Sequence, residues 1–213
     1  MSRTSPPLLM ASRLVLLGLA GTGACAAQAL PQMPGGTAAE QRQWLLQQVR
    51  IGEATGRQSL IEDALARLRM LAPDDRGTLL AILEVQLSQQ KVEDATATLQ
   101  RLRQVGAGSR ELAAGDRLWQ AYQGDLQQEL QQARLFAAGG RSADALAIYR
   151  RLFNDAPPGL QLGLEYWRLR GAQADGRALA IRELTALDQA YPGNTGLLQT
   201  LSQLLFAAGR DDE

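Results

Sequence analysis

The stretch from Ala138 to Pro158, AGGRSADALAIYRRLFNDAPP, sets an alanine at Ala145, an aromatic four residues on at Tyr149, a leucine at Leu152 and a proline at Pro157. A lone amphipathic helix needs apolar residues on one face, but it does not need this order of small, aromatic, aliphatic and proline. The order makes sense where a second helix crosses close to Ala145 and the larger side chains fill the space beside it. Ser142 stands where an N-cap belongs. Pro157 stands where the helix should stop, because proline lacks an N–H and disfavours helical geometry just before it.

The pattern recurs. The sets Ile61/Leu65/Leu68/Pro73, Ala95/Leu99/Leu102/Ala107, Ala145/Tyr149/Leu152/Pro157 and Ala180/Leu184/Leu187/Pro192 align without gaps. Breaker positions lie 34 residues apart from Pro73 to Ala107, 50 from Ala107 to Pro157 and 35 from Pro157 to Pro192. Two of the three intervals match the tetratricopeptide period of about 34 residues. The long one leaves room for an extra helix near 110–122, RELAAGDRLWQAY. A first helix precedes each second one, as in LQQELQQARLFAAGG (Leu126 to Gly140), with Ala133 and Phe136 as its packing residues. β-branched runs and period-two alternation are missing, so strands are not expected. The fold class is therefore all-α, a tetratricopeptide (TPR) helix-turn-helix solenoid.

The amino terminus reads as a cleavable signal peptide. Arg3 and Arg13 flank the start of a short apolar core, Leu14 to Ala20, and ACAAQAL offers cleavage after Ala26 or Ala29. Lipidation at Cys25 is the competing reading, although Thr22 stands where a lipobox prefers leucine. Either way the protein leaves the cytoplasm. The organisation expected is a signal peptide at 1–29, a linker at 30–39 and a TPR solenoid at 40–213, with about four repeats. The last repeat is read as truncated, since NTGLLQTLSQLLFAAGRDDE is a first helix followed only by a turn.

Composition excludes several classes of function. Basic and acidic residues balance at 22 each, which argues against nucleic acid, whose phosphates require a basic face. Histidine is absent and cysteine occurs once, removing the usual zinc ligand sets, Ser-His-Asp and Cys-His catalysis and internal disulfides. Acid pairs occur at Glu62/Asp63, Asp74/Asp75, Glu93/Asp94 and Asp211/Asp212. Glycoside chemistry needs carboxylates facing each other across a buried sugar, and neighbours in turns and on helix surfaces do not supply that. The chain reads as non-enzymatic, with no cofactor and no metal. Trp44, Trp119, Tyr166 and Trp167 are the residues suited to stacking on a sugar ring, but aromatics at helical spacing more often fill repeat interfaces. Trp167 is expected in the core.

Several segments resemble the N-terminal repeats of the cellulose synthase operon protein C family. They are WLLQQVRIGEATGRQSLIEDALARLRMLAPDD, LQQARLFAAGGRSADALAIYRRLFNDAPP, LEYWRLR and YPGNTGLLQTLSQLLFAAGRDDE. The resemblance implies a periplasmic TPR scaffold in cellulose biosynthesis and export. Its partners would be other cellulose synthase complex subunits and, as a further candidate, the glucan chain. Attachment to the outer membrane would come only through a C-terminal β-barrel that this chain does not contain. Carried over from the family geometry, the concave face would include Arg50, Glu53, Glu84, Gln127, Arg134, Glu165, Gln199 and Gln203. That mix suits a peptide or a hydroxyl-rich ligand, and equally a wet surface that binds nothing. The rival reading is a periplasmic TPR adaptor of another exopolysaccharide or secretion system.

Overall fold

The computed structural model describes residues 35–209. Among them the chain forms α1 (Ala38–Thr55), α2 (Gln58–Leu71), α3 (Arg76–Ser88), α4 (Val92–Val105), α5 (Arg110–Ala121), α6 (Gly124–Ala138), α7 (Ser142–Phe153), α8 (Gly159–Ala172), α9 (Arg177–Ala190) and α10 (Thr195–Ala207), with no strand. The segment read as a signal peptide lies outside the described residues, as do Asp211 and Asp212. The first helix begins at Ala38, inside the stretch read as linker.

Four hairpins, α1/α2, α3/α4, α6/α7 and α8/α9, carry most of the packing. Between the second and third stands α5, without a second helix of its own, packed chiefly on α3. The last helix, α10, closes against α9 and α8. This is the TPR solenoid that the repeated pattern predicts, with the extra helix in the long interval.

The two kinds of turn have different chemistry. First helices α1, α3, α5 and α10 are capped by side chains: Thr37, Asp75, Ser109 and Asn194 each accept an N–H from the first turn. Thr37 and Glu40 make a reciprocal capping box. Second helices α2, α4 and α7 have no such cap. They follow directly on a Schellman turn, in which the N–H groups of Arg57, Lys91 and Arg141 donate to the carbonyls of Gly52, Gln86 and Phe136. The left-handed residues in these turns are Gly56, Gln90 and Gly140. Ser142 is therefore not a cap but the first residue of α7. Arg141 holds the cap position and donates to Asp144 at 2.7 Å.

The prolines also act differently from expectation in one repeat. Pro73 and Pro192 follow at once on Ala72 and Tyr191, the C-caps of α2 and α9, whose ψ of 68° and 66° has left the helical region that a following proline disfavours. In α7, however, the stop precedes Pro157. Asn154 and Asp155 both turn left-handed, with φ of 47° and 59°, and Pro158 forms the extended entry to α8.

Close crossings sit at the expected small residues. Ala95, Ala133, Ala145 and Ala180 have no exposed surface. In the first hairpin the sizes are exchanged: α2 brings Ile61, and α1 answers with Gly52, where a Cβ would lie 2.5 Å from Ile61 Cγ1. Tyr149 is buried among the core residues of α6–α10, and Phe136 and Leu152 pack at that core's edge. Pro157 and Pro192 are half-buried.

Both Tyr166 (1% exposed) and Trp167 (7%) are buried, with ring centroids 4.6 Å apart in an edge-to-face arrangement. Two adjacent positions can both be inside because α8 has neighbours on more than one side, α7, α9 and α10. Trp44 and Trp119 lie against the two smaller cores, formed by α1–α3 and α3–α5.

The solenoid closes on itself. The hydroxyl of Tyr191, in the α9–α10 turn, donates to Glu84 Oε1 of α3 at 2.8 Å across 107 residues of sequence. Asn194 Nδ2 donates to the carbonyl of Ala54, at the end of α1, at 3.0 Å across 140 residues. The entry to α8 completes the contact: Gly159, with φ of +68°, lies so near Glu84 that a Cβ would stand 3.0 Å from Oε1. The first helices of the amino-terminal repeats thus look into a space walled by the carboxy-terminal ones.

Candidate functional site

Two connected spaces lie along the first helices. The outer one, a cleft of about 750 Å3, runs across α1, α3 and α5. Its lining follows the helical repeat: Arg42, Leu46, Val49/Arg50 and Glu53 from α1, Arg76/Gly77, Leu80/Ala81 and Glu84 from α3, and Arg110/Glu111, Ala114 and Arg117 from α5. Arg42 donates to Asp75 at 2.8 Å, and Arg110 lies 3.5 Å from Glu111. Arg50, Arg76 and Arg117 take part in none of the ion pairs found among the described residues.

The inner space, about 300 Å3, shares Glu53 and Glu84 with the outer cleft. Leu118, Tyr122, Leu160, Leu162 and Tyr191 add mostly apolar walls. Glu53 and Glu84 are thus drawn out of water. Burial, with the neighbouring Glu84 charge adding to it and Arg50 opposing it, pushes the Glu53 carboxyl up to about 8. Burial also raises Glu84, against the Tyr191 hydrogen bond and the Arg50 charge. Tyr191 is raised in turn by burial and then by the two carboxylates. The sequence reading found no convergent acid pair. Glu53 and Glu84 are one, invisible there because the two residues lie on different helices 31 positions apart.

The other expected concave-face residues fall elsewhere. Arg134 and Glu165 form a bidentate pair, Nε to Oε2 at 3.0 Å and Nη2 to Oε1 at 3.2 Å, beside a separate cleft of about 540 Å3. Glu165 also accepts from the Tyr149 hydroxyl and from Gln161 Nε2, each at 2.8 Å. Gln127 is tied to backbone, donating to the Ala121 carbonyl at 2.7 Å. Gln199 and Gln203 are exposed on α10, away from these clefts. The structure therefore joins Arg50 with Glu53 and Glu84, pairs Arg134 with Glu165, and leaves the three glutamines apart.

Arg76, Arg117, Tyr122 and Tyr191 are cleft residues that the sequence reading did not single out. The arginines carry a legible signal, since they occupy the same phase of successive first helices as Arg42 and Arg50. Tyr191 carries none, because solenoid repeats ordinarily touch only their neighbours. Of the acid pairs, Asp75 caps α3 and Asp74 pairs with Arg101 at 2.8 Å. Among the described residues no cluster is suited to a metal ion, and no helix is long and apolar enough to cross a membrane.

Fold and cleft define a helical tandem-repeat protein of the tetratricopeptide type, whose first helices line a charged groove. The crystal structure of the flexible tandem repeat domain of a bacterial cellulose synthase subunit is similar at a TM-score of 0.64 and 38% identity, covering 80% of this chain and 70% of that one. Cellulose synthase operon protein C of Escherichia coli (strain K12) is 36% identical over 86% of the chain, and cellulose synthase 1 operon protein C of Komagataeibacter xylinus is 34% identical over 80%. The chain belongs to the cellulose synthase operon protein C family. It spans only 16% and 13% of those two relatives' lengths. No family model matches the chain.

Proposed function

We propose that the chain is a non-catalytic periplasmic scaffold of bacterial cellulose biosynthesis and export, corresponding to the first repeats of a longer outer-membrane exporter. The observation that carries this reading is the 38% identity to a cellulose synthase subunit's repeat domain across 80% of the chain. Its work is to hold other subunits of the synthase complex along the secretion path. The aromatics suited to glucan stacking support protein partners over the polymer: Tyr166 and Trp167 are buried, and no aromatic lines the cleft across α1, α3 and α5. Glu53 and Glu84 do not make a glycosidase pair on this reading, because the Tyr191 hydroxyl holds Glu84 and burial keeps both toward the neutral form.

Deletion of the gene segment encoding 40–209, with the rest of the reading frame kept, tests the role. Cellulose secretion should fall while total glucan synthesis in isolated inner membranes is retained. Unchanged secretion would overturn the scaffold reading. Fractionation of a tagged chain, with sequencing of its mature amino terminus, tests export. The protein should appear in the periplasmic fraction, starting after Ala26 or Ala29, or carrying lipid on Cys25.

A further inference from the structure

We propose that the cleft across α1, α3 and α5 is a docking groove for an extended peptide segment that alternates acidic and apolar residues. The proposal deepens the scaffold reading and rests on it, since it states what kind of partner surface this face takes.

Three features of the cleft carry it. Five arginines line it, Arg42, Arg50, Arg76, Arg110 and Arg117, and three of them have no ion-pair partner among the described residues. Four carboxyl groups share the lining: Asp75 and Glu111 are already engaged by Arg42 and Arg110. Glu53 and Glu84 lie at the inner wall, facing Arg50 from α1 and Tyr191 from the α9–α10 turn, and burial favours their protonated forms. Arg50, Arg76 and Arg117, without ion-pair partners among the described residues, therefore give a ligand a cationic rim, although the whole chain has no net charge.

The second feature is the floor. Leu46, Leu80, Ala81 and Ala114 lie between the arginines, half-buried, so that each of the three helices contributes an apolar step. A polyphosphate or a lipid headgroup has no use for such steps. An extended strand does, because its successive side chains point to opposite sides.

Length is the third. Packed helices lie about 8–10 Å apart, so three first helices span roughly 20 Å, or about six extended residues at roughly 3.3 Å each. Carboxylates would meet the arginine forks, which bind them bidentately, while the alternate side chains settle on leucine and alanine. A neutral glucan would find no aromatic platform in this cleft.

The test is fluorescence anisotropy of the purified chain with a labelled seven-residue peptide of alternating aspartate and leucine. The same peptide with asparagine for aspartate is the control for charge. Binding should require the carboxylates and weaken steeply between low and physiological salt. The double variant Arg50→Ala/Arg117→Ala should lose about tenfold or more in affinity, on the order of 1.4 kcal/mol. Arg151→Ala, on the remote α7, should bind as the parent does. Both arginines of the double variant are exposed, so its thermal midpoint should stay close to the parent's, and a retained midpoint separates lost binding from lost folding. Equal binding of the asparagine peptide, no binding of either, or unchanged binding by a folded double variant would overturn the proposal. So would displacement of the peptide by a soluble cello-oligosaccharide, which would assign the cleft to glucan. None of these outcomes depends on cellulose secretion, so a failed groove and a failed scaffold are told apart.

Discussion

The two halves of the solenoid treat a carboxylate on a first helix in opposite ways. In the carboxy-terminal half, Glu165 is saturated: both guanidinium contacts of Arg134, the Tyr149 hydroxyl and the Gln161 amide converge on its two oxygens. In the amino-terminal half, Glu84 receives one hydroxyl, Glu53 lies beside it in the same cavity, and the nearby Arg50 is left free of any close ion pair among the described residues. The first arrangement binds α6, α7 and α8 into one unit. The second leaves cations facing outward and acids facing inward, which suits a surface kept open for a partner. Repeats of one fold thus differ in how a few charged side chains are wired, saturated in one half and left open in the other.

The largest effect that would break this comparison is expected at Glu165→Ala. The buried Tyr149 hydroxyl loses its acceptor and Arg134 its partner, at a cost of about 2–3 kcal/mol, the low side applying because Arg134 is one-third exposed. Urea unfolding measures it, and a loss below a few tenths would equate the two halves.

Glu53→Gln should go the other way, and with a pH signature. A carboxyl raised to about 8 when folded, against 4.5 when free, binds more protons in the folded state between those values. Its stabilisation is full below about 4.5 and is lost as pH rises toward 8. The variant should therefore unfold at a higher urea midpoint than the parent at pH 9 and at nearly the same midpoint at pH 4.5. A constant difference at both would show that Glu53 is not buried in the cavity.

Smaller still is the contact between the halves. Tyr191→Phe removes one hydrogen bond to Glu84, worth about 1 kcal/mol, and hydrogen exchange at the end of α1 should quicken selectively. The smallest change sharpens the turn comparison. Gln90 occupies with φ of 60° the position that glycine holds as Gly56 and Gly140. Gln90→Gly should relieve strain and raise stability by roughly 0.5–1 kcal/mol, read from the thermal midpoint.

Much of the fold was legible because repeat packing is local. A small residue followed four and seven positions on by larger ones reports a helix crossing within about 15 residues, and Ala145, Tyr149 and Leu152 obey that rule inside one hairpin. Turn chemistry was less legible. Serine before a helix and proline after one are frequent terminators, yet at α7 the chain begins from a Schellman turn and ends on two left-handed residues. The site was legible in part. Arg50, Glu53 and Glu84 share the helical phase that faces the cleft, whereas Arg134 and Glu165 satisfy each other and Gln127 is spent on backbone. Nothing within a repeat announces that Tyr191 will reach Glu84, because that contact depends on the accumulated curvature of the whole solenoid.

On that closure the inner space around Glu53 and Glu84 depends, and a distance measurement tests it most directly. Spin labels at Arg57→Cys and Thr195→Cys, both exposed, in a Cys25→Ser background, report the gap between the start of α2 and the start of α10. A closed solenoid predicts one short, narrow distance that broadens when Tyr191→Phe and Asn194→Ala are added. A long or broad distribution in the parent, unchanged by those two substitutions, would contradict it.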